Sequence, residues 1–160
     1  MLYIIRHADA VSNENDDLRA LSAEGRAQVR RLAAFLKRGE TTAPDEIWHS
    51  PLIRARETAT LLAEALDWKG TVRTVPGLRS EDEPSTIASR LKTPRSIALV
   101  GHEPHLSGLA SLLVAGLSEP PVILMRKCAM LALERQRDGE AGCWAVCWHI
   151  APELLGSSPP

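Results

Sequence analysis

Four consecutive apolar residues, Ile97-Ala98-Leu99-Val100, leave no polar face on what reads as a strand. A strand open to water on one side alternates, so one without alternation must be covered on both sides. That requirement points to a sheet held between two layers of helices. The rest of the chain supplies the layers. Leu2-Tyr3-Ile4-Ile5, Glu46-Ile47-Trp48-His49 and Val72 to Val75 read as further strands, with helical patterns between them. Ser22 can cap a helix running to about Lys37, whose Val29, Leu32, Ala33 and Leu36 follow i, i+3, i+4, i+7, with Gly39 closing it. Ser50 as cap and Pro51 as first helical residue predict a second helix to Leu66, with Ala55, Ala59, Leu62, Ala63 and Leu66 on one stripe. Shorter helices are predicted over Pro84 to Leu91 and Pro104 to Ala115.

Three late segments, 122–125, 128–135 and 143–150, read as strands, the last two joined as a hairpin across residues 137–142. Strand–helix alternation followed by a β-rich end predicts an α/β chain. Its architecture is a three-layer α/β/α sandwich with a mostly parallel sheet and an antiparallel edge. The expected organisation is a single domain over residues 1–155 with a frayed tail, 156–160.

Nineteen Lys and Arg stand against twenty Asp and Glu, a balance that argues against nucleic acid as a partner. No apolar run approaches the roughly 20 residues of a membrane span, and the short apolar start lacks the basic lead of a signal peptide. The expectation is a cytoplasmic protein without membrane attachment. Cys143 and Cys147 fall about 13 Å apart along one strand face, too far to bridge. With Cys128 they are expected to be small buried hydrophobes.

Three strand ends carry polar heads: Arg6-His7 after the first, Ser50-Pro51-Leu52-Ile53-Arg54 after the second, and Gly101-His102-Glu103-Pro104 after the apolar run. Open α/β sheets bind ligands at that carboxyl edge. Arginine offers a planar fork matched to phosphate and keeps its charge. Arg54 falls in a first helical turn, where free N–H groups also favour an anion. Two cations beside His7 should depress its pKa, leaving a neutral imidazole able to act as a nucleophile. His102 can donate a hydrogen bond to a transferring oxygen. Together these residues suit phosphoryl transfer without a metal or other cofactor.

These segments resemble the histidine phosphatase superfamily, whose fold is also called phosphoglycerate mutase-like. The resemblance rests on Arg6-His7, on Ser50-Pro51-x-x-Arg54-Ala55-x-x-Thr58 and on Gly101-His102-x-Pro104, in that order. The short length and Leu18-Arg19-Ala20-Leu21-Ser22-x-x-Gly25 look most like the bacterial phosphohistidine phosphatases, which act on histidine phosphotransfer domains. The resemblance implies a phosphohistidine intermediate on His7, with Arg6, Arg54 and His102 completing the phosphate pocket.

Two departures stand out. The family most often has Gly after the catalytic His, and here Ala8 follows His7. Better-known members also carry a glutamate that protonates the leaving oxygen. Glu81, Asp82 and Glu83 are the candidates here, with Asp9 a weaker one. A phosphoramidate leaves as a neutral imidazole of pKa about 6.5, whereas a sugar alkoxide needs a proton donor. A pocket without a strong acid therefore tilts toward phosphohistidine on a protein partner. A small phosphate ester as substrate, or a phosphoprotein-binding module without turnover, are the alternatives.

Other residues have simpler readings. Arg19 either contacts phosphate or pairs with Asp16 or Asp17, the pairing being favoured. Arg56, about 200° around the helix from Arg54, belongs at the surface. His102 and His105 lack the i, i+4 spacing of a zinc-binding helix, so no metal site is expected. The interval from Cys128 to Arg135 does not fit a cysteine phosphatase loop.

Overall fold

The computed structural model describes residues 1–39, 43–91, 95–136 and 144–156. The elements run β1 (Leu2–Arg6), α1 (Ala23–Arg38), β2 (Glu46–His49), α2 (Ile53–Ala65), β3 (Thr71–Thr74), α3 (Pro84–Ala88), β4 (Ile97–Gly101), α4 (His105–Ala115), β5 (Met130–Arg135) and β6 (Trp144–Ile150). Short 3-10 turns occupy Asp16–Leu18 and Pro152–Leu154. The predicted turn at 137–142, Cys143 and the tail beyond Gly156 lie outside the described residues.

One sheet in the order β3-β2-β4-β1-β5-β6 forms the middle layer. The first four strands of that order pair in parallel, while β5 pairs antiparallel with β1 and with β6. The α/β/α architecture with an antiparallel edge is therefore as the sequence predicts. Alternation along the central strands feeds two cores. Leu2, Ile4, Ile97, Leu99, Leu131 and Leu133 face Ile87, Leu106 and Leu109 of α3 and α4. Tyr3, Ile5, Ala98, Val100, Met130 and Ala132 face Val29, Leu32, Ala59 and Leu62 of α1 and α2. β4 is buried at all five positions because it lies between β2 and β1 with helices on both faces.

The chain leaves β1 in one direction along the sheet through α1, and leaves β4 in the other through α4. The β1–β4 pair is thus a topological switch point, and a crevice opens beyond its carboxyl ends. Among the described residues, no helix is long and apolar enough to cross a membrane.

Three expectations need correction. Helix α2 starts at Ile53, with Leu52 at its cap position, so Ser50 is not its cap and Pro51 is not helical. The reason is that the Ser50 N–H still donates to Val100 O (3.0 Å), holding the chain on the sheet for one more residue. Residues 122–125 form no strand. Two of their N–H groups turn to α4 instead, Val122 donating to Ser111 Oγ (2.8 Å) and Met125 to Ser107 Oγ (3.2 Å). Cys147 is exposed, because β6 is the last strand of the sheet; Cys128 is buried as expected.

Candidate active site

Arg6 pairs with Gly101 at the end of the parallel β1–β4 ladder, and the His7 N–H continues it to Gly101 O (3.0 Å). The residues that follow, His7 and His102, therefore emerge side by side, with ring centroids 4.9 Å apart. Arg54 arrives from the second position of α2 and is buried. Thr58, one turn on, ties this helix to the β1 end: its hydroxyl accepts from the Ala8 N–H (3.0 Å) and donates to Arg54 O (2.7 Å). Ala8 is fully buried and does not adopt a positive φ, so this loop has no need of the glycine usual there.

His7 Nδ1 lies 2.7 Å from Ala8 O. A carbonyl can only accept, so Nδ1 carries the proton and Nε2 keeps its lone pair. Burial is the largest influence on this ring and lowers its pKa from 6.5 to about 4, with Arg54, Arg6 and Arg19 pushing the same way and the Ala8 bond opposing. The two arginines depress it as the sequence leads one to expect, but loss of solvent is the larger cause. His102 is lowered to about 3, by burial first and then by His7 and Arg54. Both rings are neutral at pH 7.

Unpartnered polar atoms are found on the groups around His7. Arg6 Nε, Arg54 Nε and both ring nitrogens of His102 are buried without a hydrogen-bond partner in the protein. Buried polar groups are normally satisfied. The two guanidinium N–H groups and the one protonated nitrogen of the neutral His102 ring are donors suited to a small oxyanion, while the other His102 nitrogen can only accept. Arg6 keeps its aim by donating from Nη1 to Met125 O (2.9 Å). Arg54 donates from Nη1 to Asp16 O (2.7 Å) and from Nη2 to Asp16 Oδ2 (2.8 Å).

Asp16 was not singled out for the site by its sequence. The signal was present: Asn15 accepts from the Asp17 N–H and opens a 3-10 turn, which brings the next carboxylate to Arg54. Arg19 also binds Asp16 (3.1 Å), the pairing favoured from the sequence. Arg56 is exposed, again as expected.

The carboxylates divide by environment. Asp16 is held below the usual range by its bonds to Arg54 and Arg19. Asp9 is likewise lowered by Lys127 and Ser22, which bind its two oxygens at 2.5 and 2.6 Å. Asp82 accepts from the Arg79 N–H (2.7 Å), Glu81 from the Ser80 hydroxyl (2.8 Å), and Glu83 stands before α3. The charges of Asp82 and Glu83 act on His105, three residues beyond His102. Glu103 is raised by burial, but Ser107 engages both its oxygens. No group of three or more His, Cys, Asp or Glu among the described residues is arranged to hold a metal ion.

The family model of the histidine phosphatase superfamily (branch 1) matches residues 2–83, which contain Arg6, His7 and Arg54. The phosphohistidine phosphatase SixA of Escherichia coli (strain K12) is 24% identical over 157 residues, covering 94% of this chain and 93% of its own. The solved structure of the protein histidine phosphatase SixA complexed with tungstate superposes with a TM-score of 0.85 at 23% identity, over 97% of this chain and 99% of that one. The alpha-ribazole phosphatase from Shigella flexneri superposes at 0.73 and 17% identity, over 91% and 93%. The family match takes in just over half of the sequence, and the fold agrees along nearly all of it; this chain belongs to the histidine phosphatase superfamily, branch 1.

Proposed function

We propose that this protein is a phosphohistidine phosphatase that carries the phosphoryl group on His7 Nε2. The carrying observation is the pinned tautomer: Nδ1 is fixed on Ala8 O, which leaves the lone pair on Nε2, in a ring beside His102 and within the electrostatic reach of Arg54 and Arg6. In the first step Nε2 forms a bond to phosphorus as the bond from phosphorus to the substrate nitrogen breaks. The electron pair leaves with the substrate. A ring protonated at its other nitrogen departs as neutral imidazole, of pKa about 6.5, and needs no acid. Arg6, Arg54 and His102 neutralise the equatorial oxygens during the transfer. In the second step water attacks the phosphorus, and His7 regains its lone pair as inorganic phosphate departs.

The environment of the carboxylates supports this substrate. Asp16 and Asp9 are held ionised, Glu103 is engaged at both oxygens, Asp82 accepts the Arg79 N–H and Glu81 the Ser80 hydroxyl, and Glu83 stands at the start of α3, which favours a leaving group that needs no acid. The likeness to a protein histidine phosphatase favours a phosphorylated histidine phosphotransfer domain as partner. The chain would act as a single domain over residues 1–155.

Assay of the protein and its His7→Ala variant with a phosphorylated phosphotransfer domain and with an aryl phosphate tests the reading. It holds if the phosphoprotein is dephosphorylated at the higher kcat/KM and His7→Ala abolishes this. Faster turnover of the small ester would reassign the substrate, and turnover of neither would leave a binding module.

A further inference from the structure

Glu103 and Ser107 have no part in the chemistry above, yet both connect to Arg6. Ser107 is buried on the first turn of α4. Its hydroxyl donates to Glu103 Oε2 through a short hydrogen bond, and its N–H donates to Glu103 Oε1 (3.1 Å). With its only proton committed to the carboxylate, the Ser107 hydroxyl offers just lone pairs to other neighbours. One of these accepts the Met125 N–H at 3.2 Å. The carbonyl of Met125 is the acceptor that holds Arg6 Nη1 at 2.9 Å. Residues 122–125 have no strand ladder, so the side chains of α4 fix where that carbonyl sits.

We infer that Glu103 and Ser107 are positioning residues for Arg6, acting through the backbone of Met125. Glu103 sets the polarity of the hydroxyl, Ser107 anchors Met125, and Met125 O turns the Arg6 guanidinium so that Nε faces the oxyanion. The inference rests on the reading of Arg6 as a phosphate ligand. It adds that a helix-start pair, immediately after His102, tunes anion affinity from outside the pocket. Displacing an oriented ligand by a fraction of an ångström weakens binding without removing any contacting group.

Calorimetry with tungstate tests this without requiring turnover, on the protein and on Ser107→Ala, Glu103→Gln, Arg6→Lys and the Ser107→Ala/Arg6→Lys pair. The expectation is an affinity loss of about tenfold for Ser107→Ala and a smaller loss for Glu103→Gln, whose amide still accepts from the hydroxyl. In the Arg6→Lys background the Ser107→Ala loss should shrink to less than about threefold, since coupled residues are not additive. Unchanged affinity in Ser107→Ala, or a full tenfold loss in the Arg6→Lys background, overturns the inference. Should Ser107→Ala fail to fold, the same pair of measurements on Ser107→Cys decides, since the Glu103 charge also acts on Arg6 directly. Failure of the parent to bind tungstate would instead reject the phosphate pocket itself.

Discussion

His7 and His102 face each other with ring centroids 4.9 Å apart and planes tilted by 48°. Their proximity follows from strand register. Arg6 and Gly101 are partners in the parallel β1–β4 pair, so the residue after each must leave the sheet at the same place. Ninety-five positions separate the two in sequence, and one register step brings them together.

The two rings titrate far below an ordinary histidine, His7 at about 4 and His102 at about 3. Between pH 6.5 and those values the unfolded chain binds protons that the folded chain refuses. Stability therefore rises with pH across that window, and falls as the solution is acidified from pH 7 toward pH 4. NMR titration of the ring Cε1–H signals should show both histidines still neutral at pH 5.5, with thermal melts dropping over the same range. A midpoint near 6.5 for His7 would mean an open, solvated ring.

Asp16 lays a carboxylate on Arg54 while remaining exposed itself. It competes with an incoming anion for Nη2, whereas its backbone carbonyl holds Nη1 regardless of the side chain. Asp16→Asn should therefore tighten tungstate binding, by about three- to tenfold at low salt, with the gain shrinking as salt rises. Weaker binding would mean that the carboxylate chiefly orients the guanidinium.

Thr58→Val removes the acceptor of the Ala8 N–H, a buried donor. The expected cost is about 1–3 kcal/mol of folding stability, read as a lower Tm. Loss of kcat should exceed what that destabilisation explains at assay temperature, because Ala8 O anchors the His7 ring.

At Gly25 a Cβ would lie 2.0 Å from Asp9 O, so the start of α1 packs directly on the loop that follows His7. Gly25→Ala should cost about 1–3 kcal/mol or more by denaturant unfolding, since backbone rather than a mobile side chain must yield. A neutral substitution would show that this loop is free to move away.

Much of the site was legible because the strand ends announce themselves. An unbroken apolar run, a short first strand and the Arg54 segment each end in a charged or imidazole side chain, and layered topology brings such ends to one edge. What escaped depends on contacts the local pattern does not encode. Ser50 reads as a helix cap, but its N–H is kept by Val100 O on the neighbouring strand. Val122 to Met125 reads as a strand, but the donors at its two ends are claimed by serines on α4. Asp16 reads as loop, because its partner Arg54 lies 38 residues away. Local propensity sets the elements, and long-range hydrogen bonds decide the ends of elements and the small turns around the pocket.

The most direct test is to find the covalent phosphate. Rapid quench of the protein with a phosphorylated phosphotransfer domain, followed by mass spectrometry under alkaline conditions that preserve phosphoramidates, locates it. The account expects one phosphoryl group on His7, formed and lost at rates compatible with turnover and absent in His7→Ala. Turnover with the phosphate on another residue, or undiminished turnover by His7→Ala, would contradict it.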